Sequence, residues 1–186
     1  MGSVIPLKMA GLKRTVALVG MMGAGKSTVG RRLAERLGVA FRDADAEIEI
    51  AAGCAITEIF DRFGEPAFRE GERRVIARLL KAPPHVLSTG GGAFMAAETR
   101  AAMKDSAVTV WIRAPLWILE DRVLRRKNRP LLREGNLRET LRRLLDERTP
   151  FYEQADIHVD SDDGPHQFAV DRIVTELQAR DLIEAA

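Results

Sequence analysis

Lys26 and Ser27 close the run Gly20-Met21-Met22-Gly23-Ala24-Gly25-Lys26-Ser27. That run fits G-x-x-x-x-G-K-[ST], the pattern of a backbone loop that cradles phosphate. Its glycines let successive N–H groups curl toward one anion. A helix starting near Lys26 would add its positive end and its free N–H groups. The Lys26 ammonium suits the β- and γ-phosphates of a nucleoside triphosphate, and the Ser27 hydroxyl suits Mg²⁺. Thr28 is an alternative hydroxyl, but the spacing favours Ser27. These residues imply a nucleotide and magnesium without naming a reaction. A GTPase would need a guanine-reading Asn-Lys-x-Asp, which the chain lacks. Asp61-Arg62-Phe63-Gly64 mimics the GTPase Asp-x-x-Gly, but it stands inside a helical pattern with no strand before it.

Other residues could serve an acceptor. Asp43 and Asp45, two apart in Phe41-Arg42-Asp43-Ala44-Asp45, follow an apolar stretch. Carboxylates at the carboxyl end of a parallel strand face the ligand crevice. One could support Mg²⁺ and its waters, while the other orients a hydroxyl and takes its proton late in transfer. Helix capping is the competing role, above all for Asp45. Arg69 stands among Glu65, Glu70 and Glu72, so surface ion pairs compete with an anion site there. Ser88-Thr89 leads into Gly90-Gly91-Gly92, which indicates either a tight turn or a close approach by a ligand. Arg122, Arg125, Arg126 and Arg129 form either a solvated helix face or a second anion site.

Alternating elements must position these groups. Strand-like apolar runs fall at 15–19, 39–41, 85–89, 107–112 and 156–160. Between them, amphipathic patterns predict helices over 26–37, 45–63, 66–80, 96–103, 116–127, 137–147 and 167–179. Such alternation makes right-handed βαβ units and a doubly wound α/β fold. The charged stretch 125–136, with Pro130 and Gly135, interrupts the pattern and reads as a mobile lid.

The composition sets the outer bounds. A chain of 186 residues suits one domain able to bury a core without staples. With 29 basic and 27 acidic residues, the net charge of +2 argues against a dedicated nucleic-acid binder. The single cysteine, Cys54, excludes an internal disulfide framework and suits a reducing compartment. No apolar run approaches the ~20 residues of a membrane span, and Met1 to Arg14 does not read as a secretion signal. Pro6 stands where a myristoylation site needs Ser or Thr. The expected location is the cytoplasm.

Taken together, "GMMGAGKST" at 20–28, "FRDAD" at 41–45, "FRE" at 68–70, "STGGG" at 88–92, "NRPLL" at 128–132 and "ERTPFY" at 147–152 resemble the shikimate kinase family. The resemblance spans about 15–160, in order and spacing. It implies a three-layer P-loop fold related to nucleoside monophosphate kinases, with a five-stranded parallel sheet of order 2-3-1-4-5, helices on both faces and a mobile lid. It implies transfer of the ATP γ-phosphate to the 3-hydroxyl of shikimate, on the route to chorismate and aromatic amino acids. Within that family Asp45 would hold the shikimate hydroxyls and act as the base-like residue, and Asp43 would support Mg²⁺ through water. Arg69 and Arg148 would grip the carboxylate, with Glu72 pairing the substrate-side arginine. Gly90, Gly91 and Gly92 would meet the ring hydroxyls. Arg129 would reach the transferring phosphate, and Arg122 would lie against adenine. Gly23, Ala24, Gly25, Lys26, Ser27 and Thr28 would hold the nucleotide.

The expected organisation is an extension over 1–14 and one kinase domain over 15–183, with substrate binding near 43–72. The expected partners are shikimate and ATP alone, with no nucleic acid or membrane, and the expected state is a monomer. A gluconate kinase on the same scaffold is the alternative, and a nucleotide-binding switch without transfer chemistry is a further one. Arg42, before the first Asp, departs from the apolar residue of many relatives and needs exposure or a partner. Trp111 and Trp117 read as packing residues. His85, His158 and His166 lack metal spacing and read as packing or solvated groups.

Overall fold

Every residue of β1 (Thr15–Val19) is buried. Successive strand side chains point to opposite faces, so both faces of the sheet are covered. The computed structural model describes residues 11–125, 136–162 and 164–183. Around β1 stand β2 (Phe41–Asp43), β3 (Val86–Ser88), β4 (Ala107–Arg113) and β5 (Ile157–Asp160). All pairings are parallel, in the order β2-β3-β1-β4-β5. The predicted order and fold class hold. The carboxyl ends of all five strands therefore open on one edge, where ligands bind in such sheets.

The helices are α1 (Lys26–Leu37), α2 (Ala44–Ala52), α3 (Ile56–Leu79), α4 (Ala97–Ser106), α5 (Leu116–Leu124), α6 (Leu137–Tyr152) and α7 (His166–Ala179). Leu33, Leu37 and Val29 seat α1 on the sheet, and its Gly30 leaves room for the Phe41 ring of β2. An Arg36–Asp171 ion pair of 3.0 Å ties α1 to α7. Leu12 is buried and bridges to Ile183, so packing begins three residues before β1. Among the described residues, no helix is long and apolar enough to cross a membrane.

Several boundaries differ from the predicted ones, and four of the differences have a clear physical cause. The second strand runs over 41–43 rather than 39–41, because pairing with β3 sets Arg42 opposite Leu87 and Asp43 opposite Ser88. Arg42 sits on this edge strand and donates to Glu47 Oε1 at 3.1 Å, which supplies its partner. The predicted helix 45–63 is two helices, separated where Gly53 adopts φ 69° and caps α2. The break foreseen between 63 and 66 is a kink within α3 at Gly64, φ 77°, just before Pro66. Helix α6 continues past 147 through Pro150 to Tyr152, because Arg148 and Tyr152 are both buried. Trp111 packs as expected, whereas Trp117 is 57% exposed and packs little. Asp61–Gly64 lies in α3 with no strand before it, as its helical context indicated.

Candidate active site

The loop between β1 and α1 wraps an anion-sized hollow. Gly20, Gly23 and Gly25 all have positive φ, at 134°, 81° and 98°. At Gly20 a side chain is also sterically barred, since a methyl would lie 2.5 Å from the Ile112 carbonyl oxygen. Lys26 Nζ donates to the carbonyls of Gly20 and Met21 at 2.7 and 2.9 Å, which ties the buried ammonium to the loop. A cavity of about 230 Å³ opens here against Gly23, Gly25, Lys26, Ser27, Thr28 and Arg122. Arg122 Nη1 donates to Gly23 and Ala24 carbonyls and to Ser161 Oγ, while Nη2 donates to the Asp162 carbonyl. It thus fastens the end of β5 to the cradle.

Ser27 and Asp43 meet beside this hollow. Ser27 Oγ donates to Asp43 Oδ2 at 2.8 Å and lies 3.2 Å from Ser88 Oγ. Asp43 Oδ1 accepts from the Asp45 N–H at 3.1 Å and so caps α2. The capping role weighed for Asp45 therefore falls on Asp43, and the Asp45 carboxylate is directed elsewhere.

It is directed at the glycine run. A methyl at Gly90 would lie 3.0 Å from Asp45 Oδ1 and 2.7 Å from Glu72 Oε1. At Gly91 it would lie 3.2 Å from Arg148 Nη1, and at Gly92 only 2.5 Å from Arg69 Nη2. The run after β3 is thus a floor on which side chains from α2, α3 and α6 converge. Space rather than backbone freedom requires its glycines, none of which has positive φ. A cavity of about 440 Å³ opens there between Arg69, Glu72, Gly92, Arg148 and Phe151.

The charges in this floor are interlocked. Arg69 Nη1 donates to Glu72 Oε2 at 2.7 Å, and Nε and Nη2 reach Glu65 Oε1 at 3.2 Å. Arg69 makes the ion pairs weighed for it and also lines that cavity. Burial by itself would lower the Arg69 pKa, but the charges and bonds of Glu72 and Glu65 outweigh it and the net shift is upward. Burial dominates at Glu72 and raises its pKa against the pull of Arg69. Its Oε1 accepts no hydrogen bond among the described residues and faces Gly90. A buried orphan acceptor costs about 1–3 kcal/mol unless something satisfies it.

Tyr152 is a site residue that sequence reasoning quoted without assigning a role. Its hydroxyl donates to the Gly91 carbonyl, its ring stacks on Trp111 at 5.8 Å, and burial pushes its pKa up to about 12. The available signal was its spacing from Arg148, four residues apart and therefore on one helix face. His166, read from the sequence as a packing or solvated group, lines the 230 Å³ cavity. It faces Gly25 across the nucleotide cavity, and only its place after the carboxyl end of a strand pointed there. Arg129 and the expected lid lie outside the described residues, apart from Arg125 and Asn136 at its ends.

A family model for shikimate kinase matches residues 22–178. A shikimate kinase of Caulobacter vibrioides is 56% identical over 165 residues, covering 89% of this chain and 82% of that protein. A solved structure of shikimate kinase from Acinetobacter baumannii, in complex with shikimate, superposes with a TM-score of 0.87 at 39% identity, covering 91% of this chain and 95% of that one. A gluconokinase structure from Sinorhizobium meliloti reaches a TM-score of 0.60 at 21% identity, covering 92% of this chain and 94% of that one, and shares the fold alone.

Proposed function

Since the chain belongs to the shikimate kinase family, we propose that it transfers the ATP γ-phosphate to the 3-hydroxyl of shikimate, with the glycine floor as the acceptor site. The observation that carries this reading is the convergence of Asp45, Arg69 and Arg148 on three successive glycines beside the phosphate cradle. Shikimate carries a carboxylate on one side and hydroxyls on the other. A guanidinium matches a carboxylate with two parallel hydrogen bonds, so Arg69 and Arg148 hold the acid. Asp45, at the Gly90 end, then receives the hydroxyls. It orients the attacking oxygen and accepts its proton as the bond to phosphorus forms. Gly90, Gly91 and Gly92 carry no side chain between ring and floor, so the ring can settle close to the backbone.

At the nucleotide end, residues 23–28 bind the phosphates through backbone N–H groups, Lys26 and the start of α1. The residues here also fit Mg²⁺. Ser27 and Asp43 form a compact all-oxygen donor pair with Ser88 adjacent. An ion that keeps several waters needs only one or two protein ligands. When bound, the ion offsets charge on the phosphate oxygens. Positioning accounts for most of the remaining catalysis, because well-oriented neighbours replace a costly encounter. In this reading the protein works as a cytosolic monomer on its two small substrates.

The test is coupled measurement of ADP release by purified protein with ATP and Mg²⁺. Release should rise with added shikimate and not with gluconate. No shikimate-dependent release, or an equal response to gluconate, would end the assignment.

A further inference from the structure

Tyr152 closes α6, one turn beyond Arg148, and is fully buried. Its hydroxyl donates to the Gly91 carbonyl. The same oxygen is a hydrogen-bond partner of Arg148, whose charge and bond oppose the upward push of burial on the phenol. A guanidinium can only donate, so the sense of this chain is fixed. Arg148 donates to the phenol, and the phenol donates to Gly91.

Gly91 in turn abuts the phosphate loop. A methyl on it would lie 3.2 Å from Arg148 Nη1, 3.3 Å from the Met22 nitrogen and 3.6 Å from the Gly20 carbonyl oxygen. The loop also meets Tyr152 directly, since its hydroxyl lies 3.8 Å from Met21 Sδ. The Tyr152 ring stacks on Trp111, and a methyl on Gly20 would lie 3.2 Å from Trp111 Cδ1. The phenol is therefore wedged where α6, the glycine floor and the phosphate loop meet.

We propose that Tyr152 is a positioning residue that holds Arg148 and the Gly91 backbone in register with the phosphate loop. An acid gripped by Arg148 then sits at reacting distance from the bound phosphates. The proposal rests on the acceptor reading of the glycine floor, and Tyr152 acts through Arg148 and Gly91 rather than on substrate. A misplacement of about 1 Å can cost 10²-fold in rate, so such a tether acts on kcat as well as on acceptor binding.

The probe is Tyr152→Phe, which keeps the ring on Trp111 and deletes only the hydroxyl. Well below its melting temperature, the variant should show shikimate kcat/KM about tenfold down, the size of one hydrogen bond to a charged group. Both a raised KM and a lowered kcat should contribute, while calorimetric ADP affinity stays within about twofold. A purely structural phenol would lower the melting temperature and leave both constants alone. The second readout needs neither variant nor acceptor. NMR of the wild type should show the Tyr152 hydroxyl proton in slow exchange with water and close to the Arg148 guanidinium protons. Native shikimate kcat and KM in the Phe variant, or no such proton beside Arg148, would overturn the proposal. A wild type that ignores shikimate would end the acceptor reading instead, and the NMR measurement would then judge the tether by itself.

Discussion

Replacing Gly92 with alanine isolates the role of the glycine floor. Gly92 has φ −93° and ψ −10°, a conformation open to any L residue, so the change adds no backbone strain. Its only structural consequence is a methyl 2.5 Å from Arg69 Nη2 and 2.6 Å from Cζ. Ordinary contact begins near 3.4 Å, so the guanidinium must retreat by about 0.9 Å. It cannot do so freely, because Glu72 holds Nη1 at 2.7 Å and Glu65 holds Nε at 3.2 Å. The retreat therefore turns the fork away from the carboxylate it is proposed to grip. A hydrogen bond to a charged group contributes about 1.5–3 kcal/mol, so losing one should raise the shikimate KM roughly tenfold or more. The ATP KM should stay within about twofold, because uniform loss of acceptor binding leaves the nucleotide end untouched. Coupled ADP-release kinetics with each substrate varied in turn provide the measurement. An unchanged shikimate KM in a folded Gly92→Ala protein would refute the claim that this floor sets the Arg69 clamp.

Other variants probe separate parts of the site and core. Asp45→Asn should lower kcat by about 10²-fold or more while calorimetric ADP affinity stays near native, since a positioned base contributes 10²–10⁴; near-native turnover would remove Asp45 from proton transfer. Tyr152→Phe deletes the bond to the Gly91 carbonyl in a fully buried setting, and should lower Tm by about 2–4 °C for the loss of about 1 kcal/mol; an unchanged melt would show that the bond contributes nothing. His85 is buried, and burial depresses its pKa below 6.5. The unfolded chain then binds that proton more readily, so stability should fall as pH drops below about 6.5 and level off beneath the folded pKa. Urea melts at pH 7.5 and 5.5 should show a smaller acid loss for His85→Asn than for the wild type, and equal losses would contradict the assignment.

Much of this architecture was readable because its strongest signals are local. An apolar pentad, spaced glycines and a lysine specify a strand, a loop and a helix in that order, and β1 through α1 matches the prediction at both ends. The β2 boundary was less readable, because Arg42 and Asp43 carry no apolar signal and their extension comes from pairing with β3. The end of α6 was hidden for a related reason. Pro150 suggests a stop, yet burial of Arg148 and Tyr152 holds the helix through it. Residue types singled out Asp45 and Arg69 as candidates, and the family resemblance singled out Arg148, each by itself. What no linear pattern reveals is that three consecutive glycines leave the space in which Asp45, Glu72, Arg148 and Arg69 meet, since that depends on how α2, α3 and α6 cross.

A crystal structure with shikimate and ADP bound would test the central claim most directly. The account predicts the shikimate carboxylate between Arg69 and Arg148, with its 3-hydroxyl on Asp45 and directed toward the nucleotide's terminal phosphate. Shikimate found away from the glycine floor, with those three side chains contacting only protein, would contradict it.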